Sequence, residues 1–240
     1  MIPDGEPGPL RGSRFFNRKL TMQVAADLQL KLTLDSELIS AFYPLLQKGV
    51  RLQVATGCSV MKLLNDQLGI AEAYVLDRIA TLFLDGKPVD DLTSSLVDNG
   101  SVLALSAAMP GLVGSTMRRG GHLAAMREAI SYHPPQAVKT GLGTVTIKLF
   151  NILMKEVGPL LLERGVVLMG SELMTLLADG GAFFQEGYDP VILNGRCFHW
   201  AEFIEQLPTI VAPQQAALVK VRWNVTVSHR TGDPSAAGAS

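Results

Sequence analysis

Leucine alternates with polar residues through DLQLKLTL, at Leu28, Leu30, Leu32 and Leu34, and a period of two marks a strand with one buried face. After Gly49 the alternation resumes in VRLQV. The period then changes: in SVMKLLNDQLGI, Val60, Leu63, Leu64 and Leu68 share one helical stripe, with Ser59 placed to cap its start and Gly69 its end. RIATLFLDGKPVD reads as a strand, an Asp-Gly turn and a short strand, the strongest hairpin signal in the chain, and SVLALSA follows VDNG as a further strand. The predicted order is strand, strand, helix, strand, short strand, strand.

The pattern occurs twice. LKLTLDSELISAFYPLLQKGVRLQVATGCSVMKLLND, from Leu30, finds a counterpart in IKLFNILMKEVGPLLLERGVVLMGSELMTLLAD, from Ile147, and TLFLDGKPVDD finds one in PVILNGRCFHW. A period of about 110 residues is too long for a solenoid unit and suits two copies of one small domain. AALVKVRWNVTVSH, with Leu218, Val219, Val221, Trp223, Val225 and Val227, is expected to be the last strand of the second copy, after an insertion carrying Phe198, Trp200 and Phe203. One helix packed across a small mixed sheet is a β-grasp, so the expected fold is α+β: two tandem β-grasp (ubiquitin-like) domains at 27–114 and 144–229. A linker with a short helix at 115–143 joins them, between a flexible segment at 1–26 and a disordered tail at 230–240 rich in Pro, Gly and Ser.

Composition narrows the function. With 48% hydrophobic and 18% charged residues among 240, the chain has ample material for packed cores. Its 21 Lys and Arg against 22 Asp and Glu leave a net charge of −1, which gives no general attraction for nucleic acid or an anionic membrane. No apolar run reaches the length of a membrane span and no signal-peptide pattern opens the chain. Cys58 and Cys197 lack any CxxC spacing, which fits a reducing cytoplasm.

ATGCSVMKLLNDQLGIAEAYVLDRIATLFLDGKPVDDLTSSLVDNGSVLALSAAMPGLVG resembles the ubiquitin-like sulfur carriers, the MoaD/ThiS-like β-grasp family of molybdopterin and thiazole biosynthesis. The helix ending in LGI, the LDGKPV hairpin, the DNGSVLAL strand and the Pro-Gly-rich exit carry the likeness. In that family a free Gly-Gly carboxyl terminus is adenylated by a partner enzyme and converted to a thiocarboxylate, and no titratable side chain of the carrier takes part. This chain departs from the pattern: it continues past the exit for a second copy and closes on DPSAAGAS. The resemblance therefore implies a non-catalytic protein-interaction or scaffold module whose sheet face, with the segment from Met109 to Gly121, would dock a larger partner such as a molybdenum or tungsten enzyme or its cofactor-maturation machinery. The alternative is a sulfur carrier released by cleavage after Gly121, which would meet an adenylating activating enzyme.

The candidate contact segment is AMPGLVGSTMRRGG, with Met109, Pro110, Gly111, Gly114, Arg118, Arg119, Gly120 and Gly121 as partner or anion contacts. A nest of glycine amides beside Arg118, Arg119 and Arg127 is a way to hold an anion or a partner carboxylate. Other chemistry is sparse. Cys58 sits where a helix start lowers a thiol pKa, but no His or acid is linked to it, and Cys197 falls in an apolar phase that predicts burial. His122, His133, His199 and His229 lack metal-ligand spacing. Asp90 with Asp91, and Glu202 with Glu205, read as solvated pairs, so no catalytic residue, metal or cofactor is expected.

Overall fold

The structure, a computed structural model, describes residues 28–133, 138–179 and 191–224. The expected mobile segments 1–26 and 230–240, and His229, lie outside them. The first repeat runs β1 (Leu28–Asp35), a 3-10 segment (Ser36–Phe42), α1 (Tyr43–Lys48), β2 (Val50–Thr56), α2 (Val60–Lys62) continued by a π-helix (Leu63–Gln67), α3 (Glu72–Arg78), β3 (Thr81–Leu84), β4 (Lys87–Pro88) and β5 (Val102–Ser106). The linker holds α4 (Gly111–Met117) and a 3-10 segment (Ala124–Ile130). The second repeat runs β6 (Gly141–Phe150), α5 (Leu153–Glu156), α6 (Gly158–Arg164), β7 (Val166–Met169), α7 (Gly170–Asp179), β8 (Val191–Leu193), β9 (Arg196–Phe198), α8 (Trp200–Ile210) and β10 (Ala216–Asn224).

The local signals form as their residues dictate. Leu28, Leu30, Leu32 and Leu34 are buried along β1 while Gln29 and Lys31 face out. The Ser59 hydroxyl accepts from the Lys62 amide, capping the helix start. Asp85 and Gly86, and again Asn194 and Gly195, take the positive φ of tight hairpin turns. The helix after Ser59 widens at Leu63, whose carbonyl accepts from the Leu68 amide, and the Leu64 carbonyl reaches Ile70.

The repeats do not form two separate sheets. All ten strands make one mixed sheet in the order β4-β3-β5-β6-β2-β7-β10-β1-β8-β9. Strand β6 of the second repeat lies between β5, to which it is parallel, and β2, to which it is antiparallel. Strand β1 of the first repeat lies between β10, parallel along its whole length, and β8, antiparallel. Each repeat thus gives its first strand to the half of the sheet built by the other, and pairing crosses the boundary expected at 115–143. The turns show which slots are filled: the Asp85 carboxylate accepts from the Val102 amide of β5 at 2.7 Å, and the Asn194 side chain accepts from the Gln29 amide of β1 at 2.8 Å. In the second half, then, β1 holds the position that β5 holds in the first.

The halves meet at β2 and β7 through one ladder position, Arg51 opposite Val167. These are equivalent residues of the repeats, each one after the shared LL-x-x-G-V stretch or its variant, so the junction is a pseudo-dyad. Beyond it the strands part and side chains take over the backbone pairing. The Gln67 amide accepts from Ala55 N at 2.8 Å and donates to Ala55 O at 2.9 Å, while the Arg164 guanidinium, its pKa lowered by burial, donates to the Gln67 carbonyl. Across the dyad Glu172 receives Arg51 at 2.5 Å, Lys48 at 3.5 Å and the Met169 amide at 2.9 Å. One hydrophobic core runs through both halves, from Val60, Leu84 and Leu105 to Phe42, Leu161, Phe203 and Val219.

A polar clasp also joins the repeats on the helical side. Glu156 of α5 accepts from the Tyr74 hydroxyl at 2.5 Å and from Arg78 at 2.6 Å, both on α3. Burial first, then the Glu156 carboxylate, push the Tyr74 hydroxyl up to about 12. A raised folded-state value contributes stability that is present below the unfolded value, near 10, and is lost as pH rises toward 12. A denaturation series from neutral pH into that window is expected to show declining stability, and Tyr74→Phe is expected to remove this part of the decline.

Candidate functional site

The segment leaving β5 is a pinned helix rather than a loose tail. Pro110 precedes α4, Gly111 takes φ +75°, and Gly114 lies against the Met109 carbonyl, which an added Cβ would approach to 1.8 Å. Only glycine lets the helix sit down on the segment that leads into it at that point. At the other end of α4 the Arg119 amide donates to the Ala80 carbonyl at 2.8 Å. The Arg119 guanidinium donates through Nη2 to the carbonyls of Val75 and Leu76, each at 3.0 Å, which caps the carboxyl end of α3. Its Nη1 is buried without a partner, and desolvation lowers the Arg119 pKa.

The glycine and arginine nest holds a carboxylate, and that carboxylate is Asp90 of the same chain. Arg127 grips it with both terminal nitrogens, Nη2 to Oδ1 at 2.7 Å and Nη1 to Oδ2 at 3.0 Å, and the Gly120 amide adds a third donor at 3.2 Å. The Arg127 side chain is only 2% exposed, and its Nε donates to the Thr116 carbonyl at 2.6 Å. Asp90, though partly exposed, is therefore committed to the linker, and apart from Nη1 of Arg119 the donors of Arg119, Gly120 and Arg127 named above are engaged within the chain. Arg118 alone of the three arginines is exposed. Further along, the Tyr132 amide donates to the Pro88 carbonyl and its hydroxyl to that of Leu96, so the linker covers the edge strand β4.

The pinned linker leaves four large apolar side chains exposed among its polar ones. Leu112 and Val113 of α4 are 72% and 61% exposed, and Met126 and Ile130 of the adjoining 3-10 segment 75% and 53%. Leu112 and Val113 fall inside the segment expected to contact a partner; Met126 and Ile130, whose spacing in the sequence is helical, add exposed apolar surface outside it.

The remaining candidates stand apart. Cys58 is half-buried, its thiol near Ala55 O and Gln67 Nε2, and burial pushes its pKa up rather than down. Cys197 is exposed, not buried: it faces away from the core opposite Ile192, while its neighbour Phe198 points in. Phe198 and Phe203 are core residues, with Trp200 packed against Phe203. Asp91 closes a local turn with Thr93 and Ser94, which lowers its pKa. Among the described residues no group of three His, Cys, Asp or Glu is placed to hold a metal, and no helix is long and apolar enough to cross a membrane. No family model, curated protein or solved structure matches the chain.

Proposed function

We propose that this chain is a non-catalytic protein-interaction module of sulfur-carrier ancestry, made of two β-grasp units each of which receives the first strand of the other, β6 next to β2 and β1 next to β8. Its partner is a larger molybdenum or tungsten enzyme or the machinery that matures its cofactor. The observation that carries the reading is the linker: at the place where a carrier's reactive tail leaves its last strand, this chain has a fixed helix presenting Leu112 and Val113 beside Met126 and Ile130. The strand set β4-β3-β5-β6-β2, with β5 and β6 parallel and the flanking pairs antiparallel, supports the β-grasp part of the reading.

The alternative, a carrier released by cleavage after Gly121, has the exposure of Gly120 in its favour. Interleaving opposes it, because β1 and β2 would have to leave β10 and β6 before a carrier came free. Intact mass of the protein isolated from its own host separates the two. The interaction reading expects full-length chain, with a metalloenzyme or cofactor-maturation enzyme co-purifying and lost on Leu112→Ser with Val113→Ser. A fragment ending at Gly121, or an oxygen-to-sulfur mass increment, would replace it by the carrier reading.

A further inference from the structure

The strand exchange brings together three cations from opposite ends of the sequence. In the β1 and β10 ladder Lys31 stands directly opposite Lys220, and the next outward position pairs Thr33 with Arg222. All three cations are exposed, on the side of the strands away from buried Leu30, Leu32, Val219 and Val221. Neighbouring strands put the two lysines about 5 Å apart at their bases, with Arg222 about 7 Å further along. None of the three has an ion pair or hydrogen bond with a described residue. The carboxylate on this face of the two strands, Asp35, lies at the far end of β1 opposite Asn224.

Like charges facing each other across a ladder destabilise a sheet; the stem of Lys220 lies over Gly165, but that contact uses the methylenes and does not call for a second cation opposite. We infer that Lys31, Lys220 and Arg222 form a docking patch for a carboxylate-rich surface of a partner protein, which rests on reading the chain as an interaction module. The surroundings favour a polypeptide. Among the described residues the three cations are exposed on a sheet face and line no concave site of the kind that takes small ligands. Half-buried Ile192 beside Lys31 offers apolar contact next to the charges. Three cations in a chain of net charge −1 make a poor nucleic-acid track.

The probe is a short fluorescent oligoglutamate peptide, titrated against the full chain by anisotropy. The wild type is expected to bind it with an affinity that falls as salt rises. Lys31→Glu is expected to weaken binding at least ~tenfold, because it reverses one charge and pairs off Lys220. The same substitution is expected to leave the melting temperature unchanged or higher, since a carboxylate then faces Lys220. That split, weaker binding in a fold at least as stable, is what a structural role would not produce. Lys220→Gln repeats the test with no new charge. Wild-type chain that ignores the peptide, a Lys31→Glu protein that binds it equally well, or one that melts markedly lower would overturn the inference. So would tighter binding of an oligothymidylate of equal charge, which would make the patch a nucleic-acid contact. The linker variants decide the module reading independently, so either can fail alone.

Discussion

Asp90→Ala is expected to lower the unfolding free energy by about 3 kcal/mol, the low end for breaking a buried ion pair by removing one partner. The low end applies because Asp90 is 44% exposed while Arg127, left behind, is 2% exposed. The substitution strands a guanidinium under the linker with only neutral oxygens, from Thr116, Ser131 and Arg118, to accept from it. It also removes the acceptor of the Gly120 amide. Urea unfolding gives the magnitude, and faster proteolysis between Met117 and Ile130 is expected to show that the lost stability belongs to the linker. Arg118→Ala, at an exposed position, is expected to change stability by less than about 0.5 kcal/mol. An equal effect at Arg118 and Asp90 would mean that the nest does not anchor the segment.

Phe42→Ala is expected to cost about 3–5 kcal/mol, as truncation of a fully buried aromatic does. The more telling result concerns where the loss appears. Phe42 precedes α1 in the connection that carries the chain from β1, in one half of the sheet, to β2, in the other, and a single core spans both. Hydrogen exchange is expected to report the same loss for amides of β3 and β5 as for those of β7 and β10. Two independent domains would confine the loss to one set.

The sequence showed the strands, the hairpin turns and the helix after Ser59 but not α1 or α3, and it showed strand partners hardly at all, for a physical reason. Alternation in β1 and β6, the helical stripe after Ser59 and the Asp-Gly and Asn-Gly turns are local signals, and each forms where its residues place it. Partner choice in a sheet is not local. Strands β1, β5, β6 and β10 all bury every second residue, so any of them presents a suitable face to the same slot. Which one enters is decided by connections such as the helices between β1 and β2, whose path the pattern does not encode.

The linker misled for a related reason. Four glycines and a proline suggest irregular chain, yet Gly114 is there because a helix packs on the Met109 carbonyl, and Gly120 takes a φ of +61° where its amide meets Asp90. Arginines read as an anion site instead hold the chain's own backbone and its own carboxylate. Their partners, Val75 and Asp90, are remote in sequence, and no spacing rule brings them to notice.

The central claim is that the repeats are interlocked, so that the segment around Gly121 joins two parts of one sheet instead of ending a free carrier. The most direct measurement cuts the folded chain between Gly120 and Gly121, through a protease site placed there, and follows both pieces by gel filtration in native buffer. The interleaved fold predicts that they elute together at the position of the uncut protein and separate only in denaturant, because β1 remains paired with β10 and β2 with β6. Prompt separation into a free amino-terminal piece that keeps its own fold would contradict it.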